Sequence, residues 1–132
     1  MDDLSSWKES FKTTNQELEM ANRKKQALED LLAKNRMSLP TYEHLLKGLE
    51  EEISRLEAHR RSLAKKMTER ADELRRQKGL IEMFLADLEL RHVGKEMDEE
   101  AYNQQRGSLA AGLEATEAEL KQIEDALAEI SE

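Results

Sequence analysis

Apolar residues along this chain recur every three or four positions, in three long runs separated by two short breaks. The longest run extends from about Leu39 to Val93, with Leu46, Leu49, Ile53, Leu56, Leu63, Met67, Leu74, Ile81 and Leu88 on one stripe. That spacing keeps the stripe on one side of an α-helix and would scatter it over both faces of a strand. At about 1.5 Å per residue, roughly 55 residues make a helix of about 80 Å. This is too long for a compact core, so other helices must cover the stripe. The flanking runs supply them. The first, from about residue 3 to 34, reads Leu4, Trp7, Phe11, Thr14, Leu18, Ala21, Lys25, Leu28, Leu32, a 3-4 heptad pattern with one lysine in the seam. That lysine can lay its stem on the seam and lift its ammonium to water. The third run, from about 98 to 131, carries Tyr102, Leu109, Leu113, Thr116, Leu120, Ile123, Leu127 and Ile130.

The breaks fix the direction of folding. Asn35–Arg36–Met37 interrupts the first helix, Ser38 suits an N-cap, and Pro40 falls in the first turn of the next helix, where a missing N–H is harmless. A connection this short makes the two helices antiparallel. With Leu32 opposite Tyr42, the pairs Leu28–Leu46, Ala21–Ile53, Leu18–Leu56, Phe11–Leu63 and Trp7–Met67 follow in register. At the second break Gly94 suits a left-handed C′ position and Asp98 an N-cap. Folding the third run back with Tyr102 on Leu88 pairs Ile81 with Leu109, Leu74 with Thr116, Met67 with Ile123 and Leu63 with Leu127. The strict seam of the long helix would continue through Arg70 and Gln77. A shift by one residue gives Ala71, Leu74, Lys78, Ile81, Leu85 and Leu88 instead, while Ile81–Phe84–Leu88 overlaps the old stripe. This shift has the character of a stutter, where the packing partner changes.

Two local features follow. Trp7, Phe11, Leu63, Met67, Leu120, Ile123 and Leu127 form a candidate central core shared by all three helices. The two connections also resemble each other. Met37–Ser38 with Tyr42 lines up with Met97–Asp98 with Tyr102, a methionine, a cap and a seam tyrosine that would close each hairpin end. A shared need for caps is the simpler explanation of the likeness, with an internal duplication as the alternative.

The chain has 132 residues, 38% charged and 38% hydrophobic, with one proline and no cysteine. High charge on a regular apolar period marks a coiled coil rather than a disordered segment. Without cysteine there is no disulfide or thiol chemistry, which suits a reducing cytoplasm. No apolar run reaches the ~18–20 residues of a membrane span, and the Met1–Asp2–Asp3 start does not read as a signal peptide. A net charge of −8 argues against wholesale nucleic-acid binding. His44, His59 and His92 stand singly as surface histidines without ligand-spaced companions, and Glu50–Glu51–Glu52 reads as a solvated face. No nucleophile, acid–base or phosphate-binding constellation stands out, so neither an enzyme nor a cofactor or metal site is expected.

Two surfaces stand out. A basic cluster on the long helix includes Arg60, Arg61, Lys65 and Lys66, then Arg70, Arg75, Arg76 and Lys78. Pairing along the helix and with Glu117, Glu119 and Glu124 of the third helix would neutralise it. Contact with an anionic membrane surface or nucleic acid is the functional alternative. On the third helix, Ala111, Gly112, Ala115 and Ala118 form a small-residue stripe suited to close approach by another helix, expected from a second copy.

Residues 23–46, with Arg23–Lys24–Lys25–Gln26–Ala27–Leu28–Glu29–Asp30–Leu31–Leu32, a short break and Ser38–Leu39–Pro40–Thr41–Tyr42–Glu43, resemble the coiled-coil region of the archaeal cell-division family CdvA. Gly94–Lys95–Glu96–Met97–Asp98–Glu99–Glu100–Ala101–Tyr102 matches its second hairpin connection. The likeness covers roughly residues 20–130. It implies ESCRT-linked division or membrane remodelling, assembly into dimers or filaments, and a cytoplasmic location at the division-site membrane. It also implies an ESCRT-III-like partner of CdvB type. The family's small N-terminal β-barrel and the C-terminal tail that engages CdvB have no counterpart in these residues, so that partner is expected to bind regions absent here. The expectation is an all-α, elongated antiparallel coiled coil of three helices in a single rod, structural in function. A generic adaptor subunit and a nucleic-acid-associated filament protein are the alternatives.

Overall fold

The computed structural model describes residues 3–129. Three helices make up nearly all of it: α1 (Leu4–Ala33), α2 (Leu39–Val93) and α3 (Glu99–Ala128). α1 and α3 both pack on the long α2, and no strand occurs among the described residues. The chain divides into two compact units, Met1–Lys66 and Met67–Glu132. α2 contributes its first half to one and its second half to the other.

In unit one, Asp3 caps α1 by accepting from Ser6 N at 2.9 Å. The heptad seam is the buried face: Phe11, Thr14, Leu18, Ala21 and Leu28 are buried, while Trp7, Lys25 and Leu32 are half-buried. Opposite them Tyr42, Leu46, Leu49, Ile53 and Leu56 are half-buried and Leu63 is buried. Lys25, the one charge in the seam, reaches Glu50 of α2 at 3.7 Å. That contact lies one residue from the level expected for Lys25 and supports the antiparallel register. Thr14 resolves its burial within its own helix, its hydroxyl donating to Ser10 O at 2.7 Å.

In unit two, the re-phased seam is the buried one. Ala71, Leu74 and Leu88 are buried and Lys78, Ile81 and Leu85 half-buried, whereas Gln77 is exposed. α3 answers with Tyr102, Thr116, Leu120, Ile123 and Ala126. Ile130, the last expected seam position, lies outside the described residues. A side chain at Gly112 would stand 3.7 Å from Ile81 Cδ1, and Gln77 Nε2 donates to Thr116 Oγ1 at 2.8 Å. Thr116 is therefore engaged nearly one turn of α2 beyond its expected partner Leu74. Phe84, expected to overlap the seam, faces outward and is 56% exposed. Of the residues expected to form a central core, Phe11 and Leu63 are buried in unit one and Met67, Leu120 and Ile123 in unit two, while Trp7 and Leu127 are half-buried.

The two connections have the same backbone. After α1, Arg36 N bonds to Leu31 O and Asn35 N to Leu32 O. After α2, Glu96 N bonds to Arg91 O and Lys95 N to His92 O, each bond 3.0–3.1 Å. These are paired Schellman closures, with the left-handed residue at Asn35 (φ 56°) and Lys95 (φ 60°). The expectation that Gly94 takes this position is corrected. Gly94 sits one residue earlier and has no positive φ. Lys34 occupies the same place in the first connection, so the turn does not depend on glycine there. Caps repeat too: Thr41 N donates to Ser38 Oγ at 3.4 Å and Ala101 N to Asp98 Oδ1 at 2.7 Å. Every member recurs 60 positions later (Met37 to Met97, Tyr42 to Tyr102), and α1 and α3 are each 30 residues long. The chain builds one helical hairpin twice.

A non-glycine residue held left-handed costs about 1–2 kcal/mol, less for asparagine, which tolerates that region. Lys95→Gly is therefore expected to raise stability by about 0.5–1 kcal/mol, and Asn35→Gly by less. Thermal melts of the two variants against the wild type check the order.

Candidate functional site

The second hairpin end carries a polar cluster that the first lacks. His92 stands 60 positions after Leu32, at a seam position. Its ring stacks on Tyr102, centroids 3.7 Å apart and planes 10° from parallel, and its Nε2 lies 2.6 Å from Glu99 Oε1. The Tyr102 hydroxyl donates to Glu89, which Arg106 approaches at 3.8 Å. This hydrogen bond, helped by burial, holds the Tyr102 phenol above the usual tyrosine range. The expected methionine–tyrosine lid is thus partly redrawn: Met37, Tyr42 and Met97 are half-buried, but Tyr102 spends its face on His92. His92 is correspondingly not the lone surface histidine expected from its spacing. Its partners lie across the turn, and only the antiparallel register brings them together. His44 and His59 are exposed as expected.

The basic cluster divides. Arg70 makes a bidentate contact to Glu119, 2.7 Å and 3.1 Å, and also reaches Glu73. The hydrogen bond to Glu119 holds its guanidinium pKa above the ordinary arginine value. Arg75 reaches Glu124 at 3.4 Å and Lys78 reaches Glu117 at 3.7 Å. All three acidic residues expected to neutralise this stretch do so. The Arg70–Glu119 side chains are about 30% exposed, against roughly half for Arg75–Glu124. The first is therefore the pair that screening weakens least. In unit one, Arg61 and Lys65 are exposed, Arg60 and Lys66 half-buried, and Lys66 has a partner of its own.

The small-residue stripe divides as well. Gly112 faces Ile81 within the hairpin, which removes it from the outer surface. Ala111, Ala115 and Ala118 are exposed. On α2, Leu80, Met83 and Phe84 are exposed as well, at 53%, 67% and 56%. Phe84, Leu88, Arg91, Ser108 and Leu109 line an open groove of about 280 Å3 between α2 and α3. The apolar half of this surface escaped the sequence reading because Phe84 fits the old stripe as well as the outer face. No group of three or more His, Cys, Asp or Glu suited to a metal occurs among the described residues. No helix there is long and apolar enough to cross a membrane.

Two antiparallel hairpins sharing one continuous helix, each with a buried apolar seam, define a helical coiled-coil domain. The model of the CdvA-like coiled-coil domain matches residues 6–132, and the chain belongs to that family. Neither the curated proteins nor the solved structures include a significant match.

Two measurements follow. A double-mutant cycle with Arg70→Met and Glu119→Gln is expected to give a coupling of about 0.5–1 kcal/mol that shrinks with added salt. The folded chain keeps the Tyr102 proton after the unfolded chain has released it. The resulting stability is whole below the unfolded tyrosine range (about pH 10) and falls as pH rises through the higher folded value. Tyr102→Phe should therefore be less stable at neutral pH, with the gap narrowing in melts taken above about pH 10.

Proposed function

We propose that the chain is a structural assembly module of CdvA type, forming dimers or filaments in ESCRT-linked archaeal cell division or membrane remodelling. The family match over nearly the whole chain carries this reading. The fold supports it physically. A hairpin built twice on one helix presents long side faces for contact with other chains and devotes its polar residues to caps and pairs. The role is non-catalytic, without cofactor. Its place is the cytoplasm at the division-site membrane, with an ESCRT-III-like partner of CdvB type engaged through other regions. The generic adaptor is the rival.

One observation keeps a contact with nucleic acid or lipid in view: Arg61 and Lys65 are exposed, whereas Arg70, Arg75 and Lys78 already face carboxylates. The expected outcome in light scattering and negative-stain microscopy is a concentration-dependent assembly, unchanged by Arg61→Glu with Lys65→Glu. A strictly monomeric chain would favour the adaptor. Salt-sensitive retention of DNA or anionic vesicles, lost in that double variant, would favour the anionic-surface reading.

A further inference from the structure

The duplication supplies an internal reference. In unit one, the positions 60 residues before Leu80, Met83 and Phe84 hold Met20, Arg23 and Lys24. Those before Ser108, Ala111 and Ala115 hold Gly48, Glu51 and Arg55. Arg23 is paired with Glu19 on its own helix. This is a hairpin edge made for water. The equivalent edge of unit two has exchanged these charges for large apolar side chains on α2 and small ones on α3. Seam packing does not account for the exchange, because all of these positions are exposed in both units.

We propose that this edge of unit two is where two copies of the chain pair about a twofold axis. Leu80, Met83 and Phe84 of each copy would seat against Ser108, Ala111 and Ala115 of the other. The proposal rests on the assembly reading above and names its surface. Phe84 and Ser108 line the same groove, and Ala111 and Ala115 follow Ser108 at helical spacing on the exposed side. The row of large residues on α2 and the strip of small ones on α3 therefore meet at this groove. Such a face is complementary to itself. A twofold axis brings ridge to strip twice, which is the requirement of an isologous interface, and the alanines let the helices approach closely. The rim selects the same occupant. It carries Asp87 and Arg91, which pair at 3.3 Å, one charge of each sign. A helix that lies on lipid would instead line its apolar face with lysine and arginine.

The sequence has no cysteine, so disulfides report only on introduced positions. Chains carrying Phe84→Cys are mixed with chains carrying Ala111→Cys and oxidised. Self-association of Phe84→Glu and of Lys24→Glu, the matching position in unit one, is measured by sedimentation. Circular dichroism confirms that both stay helical, as exposed sites should. The expected result is a disulfide between the two kinds of chain. The dissociation constant should rise at least ~10-fold for Phe84→Glu and stay unchanged for Lys24→Glu. Assembly that persists in Phe84→Glu, or an absent mixed disulfide, overturns this surface and leaves the assembly reading standing. A wild type that stays monomeric to about 100 µM, a dissociation constant of little interest to a stable dimer, overturns both. A monomer whose capture by anionic vesicles is lost in Phe84→Glu assigns the edge to lipid and overturns the pairing.

Discussion

The structure depends on the covering of one apolar seam by antiparallel arms. A helix as long as α2 cannot bury its own stripe, and most helical stability in water comes from packing rather than propensity. α1 covers the first half and α3 the second. Each arm is held in direction by a five-residue break whose backbone closes in a Schellman motif and reopens in a capped turn. Everything else is fitted around that requirement. Polar groups inside the seams are few: Thr14 and Thr116 donate to carbonyls of their own helices, Lys25 reaches Glu50, and the Trp7 indole N–H is buried without a hydrogen-bond partner.

Changing arms along α2 has a sequence cost that the chain meets at Met67. The first seam runs Leu56, Arg60, Leu63, Met67 and the second begins Met67, Ala71, Leu74. Two four-residue steps meet there, which is a stutter. Met67 is fully buried and carries an unbranched, adaptable side chain. The two hairpins are otherwise the same object, and their differences lie in what decorates it. His92 and Glu99 replace leucines at the second end, and an apolar edge replaces a charged one.

Much of this was legible in the residues. The helix limits follow from Ser38, Pro40 and Asp98, the seams from spacing, and the neutralisation of Arg70, Arg75 and Lys78 from the acidic face of the third run. What was not legible depends on distances that sequence spacing does not carry. Glycine's preference for left-handed backbone pointed to Gly94, but the closing bonds put Lys95 there, because the turn is set by which amide reaches Arg91 O. Phe84 satisfies two stripes on paper, and only the packed position of α3 turns it outward. The His92–Tyr102 stack joins residues on either side of a turn, and Gly112 shares the spacing of its alanine neighbours although its backbone faces Ile81.

The period of 60 residues between the two turns has a further implication. Sixty is eight sevens with four left over, and those four are the stutter. Turn spacing and seam phase are therefore one quantity. A chain of this build can lengthen or shorten α2 by whole heptads and keep both arms seated. A single inserted residue would swing every later side chain by about 100°, and leave one arm facing charge.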